Sequence, residues 1–320
     1  RGRPSPSIRT TPSCGSWQAS SAAPASRAPP AAVDRPALAL AARLGEIETL
    51  PALPAAYERI AELAEDPSAS ATEFAHVISA DSALTARLLR IVNSPVYGFP
   101  RRIESVTRAI VVLGFETLRQ LVLVSSVVDA FRDPAPRSLG RTAFWEHSLA
   151  TGLVAKSLAG LRRPERAEEI FVAALLHDVG KLVLDRLDPE RYRAALERSH
   201  RDRRALLETE IETLGTTHPE VGALLLERWR LPRPLVEVVR HHHDPLSAGL
   251  ARARTLLVQA ADALAIGLGW GDGGNRWVPA VAPDLLERLS LEPDLVLDAL
   301  AAAEADLDET RSLFLQEGVR

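Results

Sequence analysis

Apolar residues recur at intervals of three and four through most of the chain after residue 38, which is the spacing of one face of an α-helix. No run shows the strict two-residue alternation of a strand, so we expect an all-α protein with little or no sheet. The pattern predicts helices over residues 55–64, 83–93, 105–113, 116–131, 141–160, 166–187, 189–199, 202–214, 218–230, 233–243 and 251–268, with shorter ones near 283–289 and 293–304.

Local signals indicate where some helices begin and where the pattern stops. Ser70 and Glu73 have the spacing of a capping box, ahead of a helix that carries Phe74. Asp81 is a candidate N-cap for the next helix. A glycine-rich loop with two tryptophans is predicted over residues 269–283.

Composition and proline content divide the chain. Seven of the 23 prolines precede residue 41, among Ser, Ala and Arg, so residues 1–38 are expected to be a disordered tail; non-native sequence from a misassigned start is the alternative. The sequence Asp-Pro-Ala-Pro at residues 133–136 predicts a boundary. We therefore expect an N-terminal helical part (39–132) packed on a second helical bundle (137–270), followed by a loop and helical extension (271–320).

Charge and cysteine content narrow the class of protein. A net charge of -4 gives no general attraction to nucleic acid or to anionic membranes, so neither partner is expected. Cys14 is the only cysteine, which leaves no disulfide framework and no thiolate zinc site. A reducing compartment is therefore allowed, and we expect a cytoplasmic protein.

No membrane span is expected. The most apolar stretch, residues 111–131, is interrupted by Glu116, Arg119 and Asp129, whereas a spanning helix needs about 20 apolar residues with few charges. The first residues lack the apolar run of a secretory signal. Because the chain begins with Arg1 and contains no Met, a missing leader stays open.

Two aspartates lie in segments that are otherwise apolar. Asp178 follows His177 within residues 171–184, and Asp262 lies within residues 256–266. An unpaired buried carboxylate is costly, so each of them needs a cation. A divalent metal is the simplest partner, and an ion pair with a distant arginine is the alternative. Two carboxylates with imidazoles and no cysteine suit Fe, Mn, Mg or Zn.

His147 lies on the core-facing stripe of its predicted helix, together with Phe144, Thr151 and Val154. A single histidine in such a position is more often a core residue bonded to a carbonyl than a metal ligand.

The remaining candidate histidines lie at helix ends. His218 follows Thr217, which with Glu220 fits a capping box, so a histidine beside a helix cap is the alternative reading. His242 and His243 end a helix, where cationic histidines also interact favourably with the helix dipole. Capping thus competes with metal binding for each of these residues.

Lysine is scarce: the 38 basic residues include two lysines, Lys156 and Lys181. Lys181 follows Asp178 by three residues, which is unlikely by chance in so arginine-rich a chain. A lysine can donate a proton or bind phosphate as a compact charge. Lys156 has no such neighbour and is read as incidental.

The second half resembles the HD superfamily of metal-dependent phosphohydrolases, with its signature at His147, His177-Asp178 and Asp262. His218 and His242-His243 are similar to the extended ligand set of the HD-GYP branch, although the sequence Asp-Pro-Leu-Ser-Ala-Gly at residues 244–249 replaces the Gly-Tyr-Pro stretch, so cyclic-dinucleotide cleavage is in doubt. The first half resembles the HDOD domain, on the stretch DSALTARLLRIVNSPVYGF at residues 81–99 followed by Ser105, Ala109-Ile110 and Leu113-Gly114.

HDOD domains are signalling modules related to HD enzymes, and many lack the metal ligands that this chain keeps. The resemblance therefore implies a cytoplasmic signal-transduction regulator that binds one or two divalent metal ions and works through a signalling protein partner or a nucleotide ligand. A blander alternative is a structural interaction domain with an empty site.

The resemblance also implies a second function, a metal-dependent phosphohydrolase acting on a nucleotide or cyclic dinucleotide. The first metal would be held by His147, His177, Asp178 and Asp262, and the second by His218, His242 and His243, with Asp178 bridging. The two ions would lower the pKa of a water that attacks phosphorus. Asp178 and Lys181 would be the catalytic residues, with Lys181 stabilising the developing phosphoryl charge.

Overall fold

The computed structural model describes residues 51–66, 68–132, 138–161, 164–279, 281 and 284–315, and these form helices and short turns without a strand. This confirms the all-α expectation. The helices are α1 (Ala55–Glu65), α2 (Ala71–Ser79), α3 (Ser82–Val92), α4 (Val106–Ala130), α5 (Arg141–Gly160), α6 (Ala167–Leu176), α7 (Val179–Leu187), α8 (Pro189–Asp202), α9 (Leu206–Leu214), α10 (His218–Arg228), α11 (Arg233–His241), α12 (Arg252–Leu268), α13 (Leu285–Leu289) and α14 (Pro293–Leu315).

The predicted caps in the first half are present. Ser70 accepts from the backbone N–H of Glu73, whose carboxylate accepts from the backbone N–H of Ser70, completing the capping box of α2. Asp81 accepts from two backbone N–H groups at the start of α3. Gly114 has φ 82° and ψ 164°, so two helical segments meet inside α4, where the glycine interrupts the pattern.

Helices α1, α2 and α3 pack on α4 and form the N-terminal part of the core. Ile60, Phe74 and Leu88 are fully buried there, one from each of the three helices, against Leu118 and Leu121 of α4. Burying each such side chain stabilises the fold by about 1.5–3 kcal/mol. The apolar stripes read from the sequence are therefore the faces that meet.

Helix α5 is the central element of the second half. It is buried on nearly every side because α6, α12 and α14 pack around it. Helices α7 and α10 approach closely: a Cβ added to Gly180 would lie 1.9 Å from the carbonyl oxygen of His218, and one added to Gly222 would lie 3.2 Å from the backbone nitrogen of Gly180. The two glycines thus set the spacing of helices that start beside the predicted site.

Several predicted boundaries are wrong. The helix predicted over 166–187 is two helices, since α6 ends at Leu176 and Asp178 has φ -98° and ψ 6° before α7 begins. α8 extends to Asp202 and α9 starts at Leu206, so the predicted limits of 199 and 202 fail. α10 and α11 stop earlier than predicted, while α14 extends well beyond 304.

The capping box predicted for α10 does not form. Thr217 makes no side-chain cap hydrogen bond. The backbone N–H of His218 instead donates to the carboxylate of Glu210, at 2.9 Å. The N-terminal end of α10 is therefore satisfied by a side chain from α9, which ties the two helices together.

Among the described helices, α4 alone is long and apolar enough to cross a membrane by length and composition. Half of the most apolar 18-residue stretch of α4 is buried, and the kink at Gly114 divides the helix. A core helix passes the same test, so the observation is weak evidence for a span.

The described residues all belong to one compact unit, whose buried apolar cluster extends from Leu53 to Leu307 and includes helices from both predicted parts. The predicted tail (1–38) and the predicted boundary at 133–136 lie outside the described residues. The predicted loop over 269–283 is irregular where it is described.

Candidate metal centre

The structure brings all seven predicted ligands to one place. They come from five different regions of the fold: His147 from α5, His177 and Asp178 from the junction of α6 and α7, His218 from the start of α10, His242 and His243 from the end of α11, and Asp262 from α12. Their donor atoms form two groups. We call His147, His177 and Asp262 the first group, and His218, His242 and His243 the second group; the seventh ligand, Asp178, has donor atoms close to the second group and is described separately.

Within the first group, Asp262 Oδ1 lies 3.1 Å from His147 Nε2 and 3.6 Å from His177 Nε2. Asp178 Oδ2 faces the same group, at 3.2 Å from His177 Nε2 and 3.9 Å from His147 Nε2. The side chains of two histidines and one aspartate thus converge with one carboxylate oxygen of a second aspartate.

The other oxygen of Asp178 faces the second group. Oδ1 lies 3.3 Å from His218 Nε2 and 3.5 Å from His242 Nε2. The Nε2 atoms of His218 and His243 are 3.1 Å apart. Asp178 therefore lies between the two groups and presents one oxygen to each.

Hydrogen bonds on the far side of the rings orient three of the imidazoles. Nδ1 of His177 donates to the Ala174 carbonyl at 2.5 Å, and Nδ1 of His242 donates to the Val239 carbonyl at 2.8 Å. Nδ1 of His218 donates to Glu210 at 2.8 Å. Because carbonyl and carboxylate oxygens only accept, Nδ1 carries the proton of each neutral ring, and in that form Nε2 presents its lone pair to the site, as metal-binding histidines require.

Five buried polar atoms at the site have no hydrogen-bond partner among the described residues. They are Nε2 of His147, His177 and His242, and Oδ1 of Asp178 and Asp262. Orphaned buried polar atoms are rare, and here they point at one another across two small volumes. Imidazole and carboxylate donors without sulfur fit a divalent metal ion, so these residues can hold one.

Lys181 supplies a cation that the sequence argument left out of the charge balance. Its ammonium is fully buried and donates to Asp178 Oδ2 at 2.6 Å and to the Gly273 carbonyl at 2.9 Å. The partner of Asp178 is thus a lysine three residues on, and not a distant arginine. One ammonium does not balance the three buried carboxylates of Asp178, Asp262 and Glu210.

The pKa values show how the site responds without a metal. Burial alone would lower the pKa of His177, but the charges of Asp178 and Asp262 outweigh it and raise the pKa to about 10. Burial also opposes ionisation of Asp178 and Asp262, yet the neighbouring histidines, with Lys181 in the case of Asp178, hold the pKa of both well below the ordinary value. A proton on His177 therefore takes the place of a missing positive charge.

The second group behaves differently. Burial lowers the pKa of His242 to about 4, and burial with the neighbouring imidazoles lowers the pKa of His243 well below its usual value. For His218, burial is outweighed by Glu210, and the pKa is raised. His242 and His243 are neutral near pH 7, which is the form that binds a metal.

The glycine-rich loop covers the first group. A Cβ on Gly273 would lie 2.6 Å from the His147 ring and 3.2 Å from Asp178 Oδ2, and one on Gly271 would lie 2.2 Å from the His147 backbone nitrogen. The backbone N–H of Asp272 donates to the Ala143 carbonyl at 2.9 Å, which fixes the loop against α5. Only residues without a side chain fit this close to the ligands.

Two contributions to the site were missed from the sequence. Glu210 lies on the buried stripe of α9 with Leu206 and Leu214, and a glutamate on such a stripe was a readable signal. The contact of Gly273 with Lys181 joins positions 92 residues apart, and no local pattern indicates it.

The comparisons with known proteins agree with this architecture. The structure resembles the crystal structure of an HDOD domain protein with unknown function from Geobacter sulfurreducens, with a TM-score of 0.71 and 25% identity, covering 87% of this chain and 97% of that chain. An uncharacterised protein of Treponema pallidum is 29% identical over 210 residues, which is 64% of this chain and 40% of that protein.

Ribonuclease Y of Thermus thermophilus is 29% identical over 127 residues, which is 39% of this chain and 17% of that enzyme. This chain therefore matches less than half the length of both curated relatives. The sequence model of the HDOD domain family matches residues 50–245, which is more than half of the chain. The chain belongs to the HDOD domain family.

Proposed function

We propose that this chain is a cytoplasmic signal-transduction regulator that retains a metal centre of the HD type and acts through a protein partner or a nucleotide ligand. The observation that carries the proposal is the set of five orphaned buried donor atoms, which converge on two small volumes in a chain of the HDOD domain family. A divalent ion would give every one of these atoms a partner at once, whereas a proton on His177 pairs it only with Asp178 and Asp262.

The distances support two ions. His147, His177, Asp262 and Asp178 Oδ2 would hold the first, and His218, His242, His243 and Asp178 Oδ1 would hold the second. Nitrogen and carboxylate donors favour Fe, Mn or Zn over Mg, which prefers oxygen ligands and keeps its waters.

Burial of the site favours regulation over turnover. His177 and His218 are fully buried, His147 is 1% exposed, and His243 alone of the seven ligands is partly exposed. Gly273 lies over the first group, and the Lys181 ammonium donates hydrogen bonds to Asp178 and to the carbonyl of Gly273 in the loop. A phosphoester would have to displace this loop to reach the first group.

The metal content of the purified chain tests the proposal. Elemental analysis should find one to two equivalents of a transition metal in the wild-type protein and much less in His177→Ala. A chain that contains no metal and takes up neither Fe, Mn nor Zn when incubated with them would refute the metal centre. A metal-loaded chain without activity on phosphoesters or cyclic dinucleotides would support the regulator.

The position of Asp178 favours a second candidate function, a metal-dependent phosphohydrolase. A carboxylate between two ligand groups is the arrangement of a two-metal site, and divalent ions there supply Lewis-acid chemistry for phosphoester hydrolysis. The similarity to ribonuclease Y adds a phosphodiester as a substrate class.

A hydrolase would require Lys181 to leave the Gly273 carbonyl and meet the phosphoryl oxygens of a substrate. Assays with Mn and Fe on nucleoside phosphoesters, cyclic dinucleotides and short RNA distinguish the two functions. Metal-dependent turnover that Lys181→Met abolishes, without loss of bound metal, would establish the enzyme.

A further inference from the structure

The three helices that carry or lead to the ligands of the first group, α5, α6 and α12, are also joined by ion pairs at some distance from those ligands. Lys156 of α5 forms an ion pair with Glu168 of α6. Arg254 of α12 forms an ion pair with Glu169 of α6, with Nε and Oε1 3.1 Å apart. We call Lys156, Glu168, Glu169 and Arg254 the ion-pair layer.

The layer lies at one height below the ligands. His147 and Lys156 are nine residues apart on α5, His177 follows Glu168 by nine residues through α6, and Asp262 follows Arg254 by eight residues on α12. At a rise of 1.5 Å per residue, each interval is about 12–14 Å. Two ion pairs therefore fix the relative height of the three helices, and with it the height of the ligands.

The ion pairs lie in surroundings that strengthen their hold on the three helices. The side chains of Lys156 and Glu168 are 19% and 22% exposed, and the Lys156 ammonium lies 4.4 Å from the centre of the Tyr97 ring. Partly buried charges are screened less by solvent than surface charges, and a cation over an aromatic face gains further attraction.

Tyr97 connects the N-terminal part to this layer. Its hydroxyl donates to Glu168 Oε2 at 3.0 Å, the same carboxylate that Lys156 holds. Asn93 positions the turn that presents Tyr97, because its amide donates to the carbonyls of Leu89 and Ile103 and its oxygen accepts from the backbone N–H of Ile103. The Asn-Ser-Pro-Val-Tyr stretch thus extends from α3 to the base of α6.

We propose that Tyr97 and Lys156 are positioning residues for the metal centre, through which the N-terminal part sets the geometry of the first ligand group. The inference rests on the proposed metal centre and adds the route by which events in the N-terminal part reach it. α6 connects the two levels, because Glu168 and Glu169 lie in its first turn and it ends at the His177-Asp178 junction.

The test compares Co²⁺ binding by metal-free wild-type protein, Tyr97→Phe and Lys156→Met. Co²⁺ reports both its affinity and, through its visible absorption spectrum, the geometry of its ligands. Arg87→Met is the matched control, because Arg87 forms an ion pair with Asp129 between α3 and α4 at similar exposure, 15% and 22%, and neither helix carries a ligand.

We expect both variants to weaken binding of the first Co²⁺ equivalent by about 2–30-fold, the range for residues that couple to a site without touching it, with a changed spectrum. Tyr97→Phe removes a single hydroxyl and should keep the fold, which circular dichroism checks. Arg87→Met should lower thermal stability and leave affinity and spectrum unchanged.

Wild-type affinity and spectrum in both variants would overturn the inference, and so would an equal loss in Arg87→Met. A wild-type chain that binds no Co²⁺ would refute the metal centre itself and the inference with it. The two failures are therefore distinguishable from the wild-type titration alone.

Discussion

Replacing Glu210 by glutamine tests whether the two ligand groups bind metal separately. Glu210 is fully buried and accepts two hydrogen bonds from His218, one from Nδ1 at 2.8 Å and one from the backbone N–H at 2.9 Å. Both bonds end on Oε2, and His218 Nδ1 also lies 3.0 Å from Oε1. Glutamine has the same shape but is uncharged and has only one accepting oxygen, so with that oxygen in the place of Oε2 its NH2 group would face the Nδ1–H donor in the place of Oε1.

The expected loss follows from these contacts. Removing an outer-shell partner of a metal-binding histidine weakens metal affinity about 10–100-fold. This equals about 1.4–2.8 kcal/mol at 1.4 kcal/mol per factor of ten. Because Glu210 touches His218 and no residue of the first group, only one of two binding steps should weaken.

Isothermal titration of the metal-free protein with Mn²⁺ or Zn²⁺ measures the two steps. Glu208→Gln is the matched control, since Glu208 lies on the same helix, is exposed and pairs with Arg204 at 2.9 Å. It should cost less than about 1 kcal/mol of stability and leave both steps unchanged. If Glu210→Gln binds both ions as the wild type does, or weakens both steps equally, the assignment of His218 to a separate group is wrong.

Three further predictions address the rest of the site. Asp178→Asn should abolish both binding steps, because each oxygen of Asp178 faces one group, whereas Asp262→Asn should weaken only the first; equal effects in a titration would contradict the bridging position. In the metal-free protein, the stabilisation from protonated His177 is complete below its ordinary pKa of 6.5 and is lost as the pH rises through its folded-state pKa of about 10. The denaturant concentration at the unfolding midpoint should therefore fall between these pH values, and bound metal should suppress the fall. Gly180→Ala should be strongly destabilising because its Cβ would lie 1.9 Å from a backbone oxygen, while Gly160→Ala, with nothing within 4 Å, should be neutral or stabilising by up to about 1 kcal/mol in a melt.

The helical fold was predictable because each helix buries one stripe, and the stripes repeat with the helical period. The break between α6 and α7 was not. Residues 171–184 are apolar on nearly every side, so no stripe changes phase there, and no Gly or Pro precedes the break. The break arises from tertiary packing, which turns the backbone at Asp178 so that its side chain reaches both ligand groups.

The ligands were predictable for a different reason: ionisable groups in apolar segments are costly, and the sequence shows them directly. The contacts that the ligands make with other residues were harder to predict. The contact between Asp178 and Lys181 has the three-residue spacing of a helical ion pair and was readable. The contacts of Lys181 with Gly273 and of His218 with Glu210 depend on how α9 and the glycine-rich loop fold back, which no local pattern carries.

The two lysines illustrate how far composition can be taken. In a chain that otherwise uses arginine, both lysines lie in partly or fully buried ion pairs, Lys181 with Asp178 and Lys156 with Glu168. A guanidinium is wide and planar, whereas an ammonium is a compact charge with three donors. Lys181 needs this shape to reach Asp178 and the Gly273 carbonyl from a fully buried position, and Lys156 needs it to fit between Tyr97 and Glu168. Lys156 was read as incidental because its partner Glu168 lies twelve residues away, on another helix. Lysine is as scarce at position 156 as at position 181, so the same reasoning applied to both residues. In a chain that otherwise uses arginine, each lysine is therefore a candidate for a specific structural or functional contact.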